Sequence, residues 1–213
     1  MCNRTISPKD VTFSNNWTRL NPDYETKLYD NEMCRTFLLN EYGELHANIF
    51  DFLVDGPIKA DFWRICILYK YGGVYCDMDN VPLVSFCEFI EEDVDFVTCS
   101  SYSDFDFNPN LIMSTKECSF LKDCMEWYIR KYNKQDKYDY WDWSVMSSFT
   151  HSIHIDNYHK NDGIYYSNNM KIQIIKEVPG NHYYDAHNLY NNRRVFNNRH
   201  EGWNPNTHSY KNI

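Results

Sequence analysis

Apolar positions recur at helical spacing over residues 26–54, where Leu28, Phe37, Leu38, Leu45, Ile49 and Phe52 are the candidate core. Gly56-Pro57 punctuates the chain, and a second helix is predicted from Ile58 to Tyr71. Its apolar face is wide, with Phe62, Ile65, Cys66, Leu68 and Tyr69, and Gly72-Gly73 stops it. Val74-Tyr75-Cys76 then reads as a short buried strand running into Asp77-Met78-Asp79-Asn80. Further on, strands are predicted near Arg4–Ile6, over 94–99 and over 171–178, with helices over 117–132 and 141–155. Strands alternating with helices predict an α/β layer fold. From Val195 onward the chain is polar and Asn-rich, with Trp203 its large apolar anchor.

The 213 residues suit one domain with a substantial core. No apolar run approaches the roughly 20 residues that span a bilayer, and the mean hydropathy is −0.67. Met1-Cys2-Asn3-Arg4-Thr5 lacks a basic-then-apolar export pattern, so a soluble cytoplasmic protein is expected. The formal net charge is −9, without a dense Lys/Arg cluster, which argues against nucleic acid as a partner. None of the eight cysteines forms a C-x-x-C pair, so reduced core thiols are expected rather than a zinc knuckle. Aromatics at 17% fit either ring stacking on a ligand or an aromatic core.

Asp61 and Arg64 lie three apart on the second helix and so share a face. Among Phe62, Trp63 and Ile65 they form either a structural ion pair or a clamp for sugar hydroxyls. Asp77 and Asp79, two apart at a strand end, would point the same way on an extended chain. In α/β sheets ligands bind beyond the carboxyl ends of strands. Two carboxylates converging there favour a hard cation, Mn²⁺ or Mg²⁺, and the phosphates it bridges. The bland alternative is a solvated acidic turn.

The run from Ala60 to Asp79 resembles the D-x-D-containing sugar-binding region of a glycosyltransferase family. That family includes the initiating yeast mannosyltransferases and, more distantly, the glucosylating domains of clostridial toxins. Asp61, Arg64, Tyr71-Gly72-Gly73, Tyr75, Asp77 and Asp79 fall in register with its pattern. Upstream, Trp17 through Asp30 is similar to its Trp…Asn-Pro-Asp-Tyr stretch, and downstream Asn108-Pro109-Asn110-Leu111-Ile112-Met113-Ser114 to its Asn-containing strand.

The resemblance implies a GT-A type fold over residues 1–213, with a central mixed, mostly parallel sheet flanked by helices. It implies transfer of a hexose or deoxyhexose from a UDP-sugar to a glycan or other hydroxyl acceptor, with Mn²⁺ or Mg²⁺ and retention of configuration. Asp61 and Arg64 would contact the donor sugar, Asp77 its hydroxyls or the ribose, and Asp79 the metal, with Asp77 beside it. Arg4, Thr5, Ile6, Tyr75, Met78, Asn110 and Trp203 would line the donor pocket. His200 and His208 are the candidates for a further metal ligand. Residues 195–213 would be a closing tail, or the start of a linker to a further domain. His151 and His154 on one helical face, and Asp142, are weaker candidates. The acidic run also resembles the nucleophile strand of haloacid-dehalogenase-type phosphatases. There the motif opens the domain and a later Gly-Asp-x-x-x-Asp follows, which this chain lacks. A nucleotide-sugar-binding module without transfer would use the same residues.

Overall fold

In a computed structural model, residues 15–180 and 185–199 are described, together with the backbone of 203–204 and 209–210. Asp30 starts the first long helix, α1 (Asn31–Tyr42), its carboxylate accepting the Met33 N–H at 2.8 Å. The region expected to be one helical stretch is divided at Gly43, where a φ of 84° ends α1 and α2 (Glu44–Phe52) begins at once. The expected break at Gly56-Pro57 is instead the first turn of α3 (Gly56–Tyr71). Proline is tolerated there because the first helical N–H groups have no partner to lose.

Gly72 ends α3 with a φ of 69°. A Cβ at this position would meet Lys116 N at 2.9 Å and Ser114 O at 3.0 Å. Glycine therefore lets α3 turn straight into β1 (Gly73–Cys76) while the backbone packs against β4 (Leu111–Ser114). Between them lie β2 (Asn80–Pro82) and β3 (Phe96–Cys99). After β4 come α4 (Ser119–Asn133), α5 (Val145–Ser152), β5 (Gly163–Ser167), β6 (Met170–Pro179), β7 (Asp185–Tyr190) and β8 (Arg193–Arg199). A small separate ribbon pairs β9 (Trp203–Asn204) with β10 (Ser209–Tyr210).

The main sheet runs β1-β4-β3-β6-β7-β8-β2, with β5 paired to β6. It is mixed, as expected, but among the described strands the one parallel pairing is β3 with β6. The expectation of a mostly parallel sheet is corrected for these strands, and for the pairs β5–β6 and β7–β8 the reason is local. Short connections produce antiparallel neighbours, whereas parallel ones need long crossovers. Asn168-Asn169 joins β5 to β6 and Asn191-Asn192 joins β7 to β8, all four with φ between 48° and 63°. Positive φ at both central residues is the tight hairpin turn that matches strand twist.

Helices α1–α5 pack on one face of the sheet, where Leu38, Phe62, Ile65, Tyr128, Trp143 and Ile172 belong to one core. On the other face Trp17, Phe86, Val97, Leu111, Ile175 and Phe196 form a second. Strand alternation sorts neighbours between them, Phe96 to the first and Val97 to the second. Much of the aromatic excess is consumed here: the rings of Phe96, Phe120 and Phe149 meet edge to face at 4.8–5.7 Å. The seven described cysteines are free thiols and five are buried. Residues 195–199, assigned from sequence to a closing tail, form β8, with Val195 and Phe196 buried in the second core. Among the described residues no helix is long and apolar enough to cross a membrane.

Candidate functional site

The buried face of α3 carries Asp61 and Arg64, one helical turn apart and only 7% and 5% exposed. Arg64 Nη2 lies 2.9 Å from Asp61 Oδ1, and Nη1 donates to the Pro109 carbonyl at 2.7 Å. The guanidinium also sits over the Tyr75 ring, 4.2 Å from its centroid. Asp61 Oδ2 accepts the N–H of Val145, the first residue of α5, at 2.9 Å. A helix start leaves its first N–H groups without intrahelical partners, and this carboxylate satisfies one of them. Asp61 therefore ties α3 to α5 and braces Arg64 at the same time.

Strand β1 delivers the second half of the site. The Tyr75 hydroxyl donates to Asp77 Oδ1 at 2.7 Å, and Arg64 Nη2 is 3.4 Å from the same oxygen. The strand ends at Cys76, and residues 77–80 do not continue extended as expected. They turn, with the Asn80 N–H bonded to the Asp77 carbonyl at 3.1 Å. A single acceptor, the Asn110 carbonyl, takes the Asp77 N–H and Asn80 Nδ2, each at 2.8 Å. Met78 and Asp79 occupy the turn, both half-buried.

One guanidinium thus stands between a buried carboxylate, Asp61, and a half-buried one, Asp77. Burial pushes the Asp61 carboxyl above its ordinary range, with Arg64 and the Val145 N–H pulling the other way. Asp77 is raised to about 6, first by burial; Arg64 opposes, and the neighbouring Asp79 charge adds to the rise. For Arg64 burial works against the charge, but Tyr75, Asp77 and Asp61 outweigh it and keep the group cationic. Burial also lifts the Tyr75 phenol well up, so it remains a donor to Asp77. The result is a neutralised, preoriented polar cluster with an acidic turn at its edge.

Of the residues singled out from sequence, Asp61, Arg64, Tyr75 and Asp77 touch one another directly. Asn110 joins through its backbone carbonyl, while its buried side chain turns toward Glu177, with Nδ2 3.4 Å from Oε1. Arg4, Thr5, Ile6, His200 and His208 lie outside the described residues, and of Trp203 only the backbone is described. His151 and His154 do not share a helical face, because α5 ends at Ser152. His151 Nδ1 contacts the Ser147 carbonyl at 2.7 Å, and His154 sits beside Asp156 at 3.2 Å. Asp142 is held by Lys131 at 2.6 Å. Asn80, the Pro109 carbonyl, Asn108 and Glu177 were not anticipated as parts of the cluster. Glu177 carries no sequence signal, since a charged residue near a strand end reads as solvent-facing.

A divalent cation would need hard oxygen ligands. The acidic turn supplies two neighbouring carboxylates; burial first, and then the Asp79 charge, raises Asp77, and a cation would relieve both. Asp77 Oδ1 already receives the Tyr75 hydroxyl and lies 3.4 Å from Arg64 Nη2. Among the described residues no group of three or more His, Cys, Asp and Glu is arranged to hold a metal.

Residues 7–97 match the sequence model of the glycosyltransferase sugar-binding region containing DXD motif. The chain is 24% identical over 152 residues to the initiation-specific alpha-1,6-mannosyltransferase of Candida albicans, covering 70% of this chain and 36% of that protein. It is 40% identical over 60 residues to inositol phosphoceramide mannosyltransferase 3 of Schizosaccharomyces pombe, covering 28% of this chain and 17% of the relative. These matches span about a third or less of the curated relatives. Among solved structures, the PaToxG glycosyltransferase superposes with a TM-score of 0.54 at 17% identity, covering 70% of this chain and 63% of that one. In sequence the chain is similar to the DXD-containing glycosyltransferase region, and in fold to the PaToxG glycosyltransferase.

Proposed function

We propose that the chain is a GT-A type glycosyltransferase that moves a hexose or deoxyhexose from a nucleotide-diphosphate sugar, UDP-linked in the first instance, to a hydroxyl of a glycan or other acceptor. The observation that carries this reading is the Asp61–Arg64–Asp77 cluster, its Asp61–Arg64 pair buried and its Asp77 half-buried, placed against the acidic turn. A structural ion pair would be served by one carboxylate per guanidinium; here the guanidinium is shared, stacked and held at a strand end where ligands bind. Such a preoriented set can donate to and accept from sugar hydroxyls without reorganising. The mannosyl transfer named for the yeast and Candida relatives makes mannose the first sugar to test beside glucose.

In this reading Asp61 and Arg64 orient the donor sugar, and Tyr75 holds Asp77 through its Oδ1. Asp79, with Asp77 beside it, would hold Mn²⁺ or Mg²⁺, which supplies charge neutralisation for the leaving diphosphate. Retention of configuration is proposed with it, and His200, His208 and Trp203 are proposed to close over the diphosphate. Arg4, Thr5 and Ile6 are proposed at the base, with Met78 lining the pocket and Asn110, its side chain turned to Glu177, serving the site through its carbonyl.

Incubation with UDP-glucose and GDP-mannose, with Mn²⁺ and with EDTA, is the test. Slow release of free UDP or GDP that EDTA abolishes is expected, and NMR of the first-formed product should show the donor's anomer. Binding without release would reduce the protein to a sugar-nucleotide receptor, and release of inorganic phosphate alone would point to phosphatase chemistry.

A further inference from the structure

Glu177 is buried, 3% exposed, near the end of β6, the longest strand of the sheet. A buried carboxylate is costly unless its bonds are needed. Its Oε1 accepts from Asn108 Nδ2 at 2.7 Å and from Asn110 Nδ2 at 3.4 Å, and its own N–H is held by Ser100 Oγ at 3.2 Å. Both asparagines belong to the three-residue segment whose carbonyls serve the candidate site. Pro109 O receives Arg64, and Asn110 O receives both the Asp77 N–H and Asn80 Nδ2. The segment also closes on itself, Asn110 N–H to Asn108 O at 2.7 Å. The sheet beneath it is polar by build: Glu177 is registered opposite Asn188, and Asn80 opposite Asn198, all of them buried. Packing alone would favour apolar side chains at such positions.

We propose that Glu177 is a positioning residue of the site. It clamps the Asn108–Pro109–Asn110 segment to the rigid end of β6, so that two carbonyls fix the Arg64 guanidinium and the acidic turn. The role rests on the glycosyltransferase reading for its catalytic consequence, but the mechanical link stands without it. A displacement of even about 1 Å at a reacting site can cost roughly 100-fold in rate.

The test compares Glu177→Ala, Glu177→Gln and Asn108→Ala in the full chain. Amide exchange is read at Asp77 and Asn80, with Cys124 and Tyr128 of α4 as internal controls. In Glu177→Ala and Asn108→Ala, exchange at Asp77 and Asn80 should rise roughly tenfold or more relative to the controls. Glu177→Gln, which keeps a carbonyl acceptor for both asparagines, should restore exchange to near wild type. Hydrolysis of UDP-glucose or GDP-mannose with Mn²⁺ should lose kcat roughly 10- to 100-fold in Glu177→Ala and be rescued within a few-fold by Glu177→Gln. Unchanged exchange at Asp77 and Asn80, or an equal rise throughout the controls, overturns the proposal. So does a Glu177→Gln protein with wild-type exchange but no turnover, since the charge itself would then act on the reaction. If the wild type hydrolyses neither donor, the functional reading fails, and the exchange data still decide the link.

Discussion

Arg64 cannot be read apart from its partners, because it bonds a carboxylate on its own helix, another beyond β1 and a carbonyl from the 108–110 segment. Asp61→Asn keeps the shape and removes one charge. Transition-state stabilisation should fall by roughly 2–5 kcal/mol in kcat/KM for donor hydrolysis. Unchanged kinetics with a lowered Tm would leave Asp61 as a bracket between α3 and α5 alone. The raised Asp61 carboxyl also sets a pH signature. A carboxyl raised on folding contributes stability that is present below its unfolded pKa and is lost as pH rises through the folded one. Denaturant midpoints of Asp61→Asn should therefore gain on wild type as pH is raised from the ordinary Asp range toward neutrality; a constant difference would contradict the shift. Asp79→Asn tests the acidic turn. Its Mn²⁺-stimulated turnover should drop roughly 100-fold or more, and a Mn²⁺ titration like that of wild type would remove Asp79 from the ligand set. Much of this cluster was legible in the sequence, since Asp61, Arg64, Tyr75 and Asp77 were singled out together. Glu177 and the Pro109 carbonyl were not, because a backbone acceptor carries no residue signature and a lone strand glutamate reads as exposed.

At the scale of elements, glycines and asparagines decide where the chain changes direction. Gly72 places β1 and the acidic turn directly after α3, in contact with the backbone of residues 114–116. Gly72→Ala combines an unfavourable positive φ with a backbone clash and should cost about 1–3 kcal/mol in urea unfolding, with donor hydrolysis falling alongside. Wild-type stability would show that the β1–β4 junction yields easily. Helix limits were read to within a few residues wherever the apolar stripe was strong, as in α3 and α4. The strands β5, β7 and β8 went unread because their signal lies in the turns and not in the strands. Asn168-Asn169 and Asn191-Asn192 each join two paired strands with both residues at positive φ. β8 itself, Arg193–Arg199, is polar at most positions; Val195 and Phe196 enter the apolar core, and the polar Asn198 is buried beside them. Asn192→Val forces a β-branched residue into that turn and should lower stability by about 1–2 kcal/mol, read from the denaturant midpoint.

For the whole molecule, the antiparallel half of the sheet explains how an acidic turn in the first half of the chain is supported by residues 193–199. β8 pairs on one side with β7 and on the other with β2, the strand that leaves the turn at Asn80. The Leu83 N–H is bonded to the Val195 carbonyl at 3.0 Å, extending that support beyond β2. A chain cut before β8 would therefore lose core and site together, so a closing role for the end of the chain has to be tested from residue 200 onward. Truncation after Arg199 keeps Val195 and Phe196 in the second core while removing His200, Trp203 and His208. The expected product retains a cooperative transition with a Tm within a few degrees of the full chain, because the described core elements remain. If the removed residues close over the diphosphate, Mn²⁺-dependent donor hydrolysis should fall roughly 10- to 100-fold while Asp61 and Arg64 still confer weak donor binding. Adding back the variants one at a time then separates the contributions: His200→Ala and His208→Ala should alter the Mn²⁺ dependence, and Trp203→Ala the donor KM. A truncated protein with full Mn²⁺-dependent activity would remove all three residues from the site and leave the acidic turn, Asp61 and Arg64 as its working parts.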